Sequence, residues 1–168
     1  KDKKSLLTWK QGKTGIPIVD AGMKELYEMG WMHNRVRMIV GSFLTKNLLL
    51  HWKEGERWFF DTLVDADIGS NSAGWQWISG SGADASPYFR IFNPILQGKK
   101  FDPKGEYVKK FLPNLSKIPD KFIHSPWEMT LDEQEKCDFI LGRDYPKPIV
   151  DLSDTRKRAL AAFKKISA

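Results

Sequence analysis

Cysteine is almost missing from this chain, with Cys137 the only one in 168 residues. That excludes an intrachain disulfide and a thiolate metal cluster, and a reducing compartment is expected. Histidine is scarce as well. His33 and His51 have no second histidine or acid at a metal-ligand spacing, so both are expected to be structural. No apolar run is long enough to span a bilayer and no signal peptide is present, which predicts a cytoplasmic protein without membrane contact. Gly-x-Ser-x-Gly, Walker and zinc motifs are missing, so no hydrolytic or phosphate-cradling motif offers itself. No stretch alternates apolar and polar residues for the length of a useful strand, and no repeat is visible. The chain starts Lys1-Asp2-Lys3-Lys4 without a methionine, as an excised fragment would.

What is present is helical and basic. Hydrophobic residues make up 41% of the chain, enough for one domain with a sizeable core across residues 1–168. The formal charge of +6 favours a polyanionic partner without requiring one. Pro17 suits a first helical turn, and Val19 to Met29 reads as a helix that Gly30 can end. Arg35 to Trp52 reads as the strongest helix, with Val36, Ile39, Val40, Phe43, Leu44, Leu48 and Trp52 at helical spacing. Further helices are predicted over Glu54 to Val64, over a short segment carrying Trp75 and Trp77 that Gly80 and Gly82 end, over Lys104 to Leu112, over Leu131 to Ile140, and from an Asp154 cap to Ile166. Gly80 to Asp102 reads as loop, with Pro87 and Pro94 as breakers. The predicted fold class is all-α with long functional loops.

Seven tryptophans are unusual for this length, and several alternate with carboxylates, amides and arginines. Two residues apart on a helix, Trp75 and Trp77 lie roughly 200° apart around the axis. Either both pack in the core, or one turns inward while the other lines a cavity as a platform for an unstacked base. Arg35 and Arg37 diverge in the same way, one toward solvent or phosphate and the other toward a carboxylate. Asp65, Asp67, Gly69 and Asn71 have the outline of a calcium loop. The match fails because Gly69 takes a ligand position and Gln76 stands where a bidentate glutamate should close the site. What remains is an N-cap at Asp67 or Ser70 with Asp65 paired to an arginine, or a polar set binding the donors of a heterocycle. The lysine and arginine pairs at 99–100, 109–110 and 156–158 read as solvated faces, with phosphate contact as the alternative.

As a set, four strings resemble the photolyase/cryptochrome family: residues 12–21 (Gly12 to Ala21), Gly30-Trp31-Met32-His33-Asn34-Arg35-Val36-Arg37-Met38, Trp75-Gln76-Trp77, and Arg90-Ile91-Phe92-Asn93-Pro94. Within that family, Trp31 to Arg35 with Met38 is similar to class I cyclobutane pyrimidine dimer photolyases. The resemblance implies the C-terminal portion of a helical FAD-binding domain. The family's antenna domain and its antenna chromophore, and the phosphate-binding first part of the FAD domain, fall outside this chain. FAD would be held by Asn34, Arg37, Asp65, Ala66, Asp67 and Asn71, with Arg37 paired to Asp65 and Asn71 facing flavin N5. DNA containing a pyrimidine dimer would meet Asn34, Arg35, Met38 and Trp77. Trp75 and Trp52 would belong to the tryptophan chain that reduces the flavin. Its surface member would fall before Lys1, and Trp9 is not its match. The implied activity is light-driven repair of pyrimidine dimers by electron transfer from reduced FAD, with a fragment inactive alone. The alternative is a cryptochrome-like photoreceptor, against which Asn71 and Trp77 both argue.

Overall fold

The computed structural model describes residues 2–81 and 90–167. Among them run nine α-helices: α1 (Lys3–Lys10), α2 (Pro17–Met29), α3 (Asn34–Ser42), α4 (Trp52–Thr62), α5 (Ile68–Ser79), α6 (Pro94–Phe101), α7 (Glu106–Phe111), α8 (Leu131–Lys136) and α9 (Leu152–Ser167). No strand forms among the described residues, so the all-α class holds. Gly82 and Pro87, given above as a helix stop and a breaker, lie outside the described residues.

Helix α2 behaves as its sequence predicts. Pro17 occupies the first turn, where a missing N–H costs nothing, and Gly30 ends the helix in the left-handed region at φ +64°. Its apolar face, Ile18, Val19, Ala21, Met23 and Leu26, is buried. A Cβ on Gly22 would sit 2.5 Å from Val36 of α3, so the glycine is what lets these two helices approach.

The single long helix expected from Arg35 to Trp52 does not form. After α3 the chain widens into a π-helical turn, Phe43–Asn47, where the Leu48 N–H reaches back to the Phe43 carbonyl. Leu49 then adopts φ +50°, and His51 opens α4 by accepting the Lys53 N–H on Nδ1. Three consecutive leucines satisfy any helical register, so hydrophobic spacing carries straight through this break. Trp52 therefore starts α4 instead of ending α3. The π turn also buries Lys46, whose ammonium donates to the Ser79 carbonyl at the end of α5. Burial pushes that amine down to about 8.

Two further boundaries differ from expectation. Pro94 does not break structure. It begins α6, and Asn93 caps the helix by accepting the Ile95 and Leu96 N–H groups. The cap of α9 is Asp151, which accepts the Asp154 N–H, so Asp154 lies in the first turn. Helix α7 is shorter than Lys104 to Leu112, and α8 stops at Lys136. The proline-rich stretch between them is irregular as expected, with three short 3-10 turns (Pro113–Leu115, Asp120–Phe122, Pro126–Glu128).

This irregular stretch is tied back to the start of the domain. Asp20 is fully buried and accepts four hydrogen bonds: Thr14 N–H and hydroxyl, Gly15 N–H, and the Tyr145 hydroxyl. Burial outweighs these bonds and lifts its carboxyl to about 6. The Ile149 N–H donates to the Thr14 carbonyl, and a Cβ on Gly15 would meet the Lys147 carbonyl at 2.4 Å. The motif at residues 12–21 thus has a structural purpose: it is a socket for the later chain.

Candidate functional site

Three helices converge on one cavity of about 430 Å³, a size common for small-molecule sites. Helix α3 contributes Asn34, Arg37 and Met38, spaced so that all three share one face. Helix α4 supplies Phe59, and Leu63 follows directly after its end. The α4–α5 connection and α5 add Asp65, Ala66, Asp67, Ser70, Asn71, Gly74, Trp75, Trp77 and Ile78. Of the residues singled out from sequence, nine meet here: Asn34, Arg37, Met38, Asp65, Ala66, Asp67, Asn71, Trp75 and Trp77. Arg35 and Trp52 do not line it.

The floor is aromatic. Trp75 is 2% exposed, its ring 4.8 Å from Phe59 and 6.2 Å from Trp9. A Cβ on Gly55 would lie 2.2 Å from the Trp75 ring, and one on Gly41 3.3 Å. Two glycines on neighbouring helices therefore clasp this indole. Trp77 is half-buried and lines the same cavity. The two tryptophans part company as their spacing predicts, one into the core and one only partly covered, but both reach the cavity. Trp9 is buried completely and donates its indole N–H to the Val40 carbonyl.

The polar groups lie around this floor. The Arg37 Nε donates to the Met32 carbonyl at 2.6 Å, and its Nη2 reaches both Asp65 oxygens at 3.3 and 3.2 Å. Such a partly exposed pair contributes little to stability, about 0–1 kcal/mol. Its value is geometric: it fixes a guanidinium edge and a carboxylate at the cavity. Asp67 caps α5 by accepting the Ser70 N–H at 2.8 Å, and that backbone bond draws its carboxyl below the usual range. Both structural roles expected for this loop are thus present together. The Asn71 amide nitrogen donates to the Glu56 carbonyl at 2.9 Å, which leaves its Oδ1 as an acceptor to offer a ligand N–H. Ser72 hydrogen-bonds the Glu56 carboxylate beside it.

This set fits a flat heterocycle with donors and acceptors along its edge. Arg37 supplies donors, Asn71 and the two aspartates supply acceptors, and Phe59, Leu63 and Trp75 supply an apolar bed. Gly74 matters here: a Cβ on it would meet nothing within 4 Å, so the cavity side of α5 has room that a larger residue would fill. Sequence reasoning missed Phe59, Leu63, Ser70, Gly74 and Ile78. Their signal was the same four-residue spacing, Phe59 to Leu63 and Ser70 to Gly74 to Ile78, but these residues are ordinary enough to read as core or solvent face.

Arg35 and Arg37 diverge, as expected. Arg37 turns in, whereas the Arg35 guanidinium lies 4.5 Å over the ring of Phe101 on α6. Trp52 stacks on His51, with centroids 5.7 Å apart, and makes no ring contact with Trp75. The α4 residue against the Trp75 ring is Gly55, one turn along from Trp52. His33 and His51 cap α3 and α4 through Nδ1, the structural roles expected of them. Among the described residues, no helix is long and apolar enough to cross a membrane.

Residues 1–165 match the family described as the FAD binding domain of DNA photolyase. The chain is 59% identical over 165 residues to a deoxyribodipyrimidine photo-lyase of Agrobacterium fabrum, covering 98% of this chain and 34% of that protein. It is 52% identical over 153 residues to cryptochrome-2 of Arabidopsis thaliana, covering 91% and 25%. A crystal structure of a bacterial class III photolyase from Agrobacterium tumefaciens superposes with a TM-score of 0.95 at 59% identity, over 99% of this chain and 34% of the other. The chain thus spans about a third of the length of these photo-lyase relatives.

Proposed function

The chain belongs to the FAD binding domain family of DNA photolyase, and from that premise we propose that it forms the flavin-ring and lesion-facing wall of a light-driven DNA repair enzyme, a deoxyribodipyrimidine photo-lyase. The observation that carries this reading is the convergence of Arg37, Asp65, Asp67, Asn71, Met38 and Trp77 on one cavity over the Trp75 floor. The single hydrophobic core, which runs from Trp9 through Trp75 to Phe139, supports reading residues 1–168 as part of one domain.

The chemistry that FAD supplies when bound and reduced is light-driven one-electron transfer to a pyrimidine dimer, which opens the cyclobutane ring and returns the electron. The residues of this chain do the rest. Arg37 and Asp65, locked to each other, present a donor edge and an acceptor edge to the ring system. Asp67 and Ala66 border it, and Asn71 offers Oδ1 to a ring N–H. A dimer can reach this depth only if it is turned out of the duplex, because a stacked base cannot enter a cavity. Met38 and Trp77 would give the extruded, poorly solvated dimer an apolar face, and Asn34 would lie between flavin and lesion. Arg35 meets the DNA backbone outside. Trp75 and Trp52, on facing helices, would be the residues that relay electrons toward the cofactor, and Gly55 leaves the space that the Trp75 ring fills.

The class I placement drawn from Trp31 to Arg35 and Met38 gains no support from the relatives, since the structure at TM-score 0.95 is a class III photolyase. Class III is the subdivision we put in its place. The 52% identity to a cryptochrome keeps a photoreceptor as the second reading. One assay separates them. The flavin-loaded protein, given a dimer-containing oligonucleotide and blue light, is expected to restore the ultraviolet absorbance of the intact pyrimidines. Flavin photochemistry without that recovery would favour the photoreceptor and refute the repair reading.

A further inference from the structure

Phe101 ends α6 and is 49% exposed, in a strongly cationic setting. Two charges already lie over it: the Arg35 guanidinium at 4.5 Å and the Lys100 ammonium at 5.2 Å from the ring centroid. Arg35 is oddly placed for a residue serving only stability. It sits in the first turn of α3, where the helix dipole disfavours a cation, and no carboxylate pairs with it among the described residues. The residue just before it, Asn34, lines the cavity. Its one described side-chain partner is an aromatic ring from another helix.

We propose that Phe101 is a positioning residue for DNA binding: its ring holds the Arg35 guanidinium next to the cavity-lining Asn34, ready for the phosphate beside an extruded nucleotide. A guanidinium stacked on a ring keeps its in-plane N–H fork free, which is the edge that grips a phosphate. An unstacked arginine would have to give up its rotamer freedom at the moment of binding. Lys100, over the same ring, adds positive charge without that planar geometry. The inference rests on the repair reading, since it requires Arg35 to meet DNA.

The test is a double-mutant cycle on the flavin-loaded protein, with dissociation constants for undamaged and dimer-containing duplexes measured across a salt series. Phe101→Leu is expected to weaken both complexes by about two- to fivefold, the range of one cation–aromatic contact. Arg35→Gln is expected to weaken both more and to lower the salt slope by about 0.9, one phosphate contact. In the Arg35→Gln background Phe101→Leu should change nothing further, and Phe101→Tyr should bind like the parent protein. Equal losses from Phe101→Leu in both backgrounds, with the Arg35 effect intact, would overturn the positioning role alone. An Arg35→Gln protein with unchanged affinity and slope would overturn the DNA reading of Arg35 and this inference with it. Melting curves of each variant report the fold, and a Phe101→Leu loss that tracks a lowered melting temperature in both backgrounds also counts against the proposal.

Discussion

Gly55→Ala tests the packing that defines the cavity floor. The added methyl would stand 2.2, 2.5 and 2.6 Å from three carbons of the Trp75 ring, where carbon atoms normally rest about 3.5–4.0 Å apart. The indole would have to retreat by more than an ångström. It has nowhere to go: it is 2% exposed, Phe59 and Trp9 pack against it, and a Cβ position at Gly41 is already 3.3 Å away. Overpacking of this kind costs about 1–3 kcal/mol. Alanine returns up to about 1 kcal/mol of helix propensity. Contacts this short belong at the upper end of that range, about 2–3 kcal/mol, so a net destabilisation of roughly 1–2 kcal/mol is expected, or a melting temperature lowered by roughly 2–8 °C for a chain of this size. Urea unfolding followed by tryptophan fluorescence measures it. Gly74→Ala is the control: its methyl meets nothing, so the variant should gain up to about 1 kcal/mol while its intrusion into the cavity weakens flavin binding. A Gly55→Ala protein as stable as the parent, with unchanged near-ultraviolet dichroism, would refute the reasoning. So would a Gly74→Ala protein that loses as much stability.

Trp75→Phe, which keeps most of the packing but is much harder to oxidise, is expected to block light-driven reduction of oxidised flavin and to spare repair by chemically pre-reduced enzyme. Photoreduction under blue light with an external reductant, run beside a repair assay, checks this, and normal photoreduction would remove Trp75 from the electron path. Trp77→Ala should weaken binding to dimer-containing DNA by about 1–3 kcal/mol while undamaged duplex changes little; equal losses on both would make Trp77 a packing residue only. The buried carboxyl of Asp20, raised to about 6 from 3.8, binds its proton more tightly in the folded state. Its contribution to stability is therefore fully present below about pH 4 and is lost as the pH rises toward 6, roughly 3 kcal/mol in all. Unfolding free energies of the parent and Asp20→Asn proteins, compared between pH 4 and 7, should diverge by that trend, and parallel pH profiles would contradict it.

The polar half of the site was legible because the resemblance to the photolyase/cryptochrome family carries it, and helical spacing accounts for why those residues meet. Asn34 with Arg37 and Met38, and Asp67 with Asn71 and Trp75, stand three or four residues apart, so a helix of any origin gathers each group on one face. The apolar half was hidden by its ordinariness: Phe59 and Leu63 look like any core pair. The break after α3 was hidden because Leu48, Leu49 and Leu50 carry no phase. Pro94 was misread because a proline that stops one helix and one that starts the next look alike until the Asn93 cap before it is given weight. Asp154 and Asp151 are equally good caps on paper, and only the register of α9 chooses between them. Glycines 41 and 55 carry no signal at all in one dimension, since their meaning is the ring that rests on them.

Asp20 receives its fourth donor from Tyr145, 125 residues later in the chain. A ribosome adding about 5–20 residues per second needs roughly 6–25 s to cover that distance. Throughout that interval the carboxylate has only its neighbours Thr14 and Gly15 to bond, and the groove that Lys147 and Pro148 will cover stands open beside Gly15. The helices that line the cavity have all been synthesised by then, so the site can take shape early on the nascent chain, yet the tie at Asp20 is made last. A chain halted before residue 145 would carry every described residue that lines the cavity and still lack the bond that joins Asp20 to the later chain.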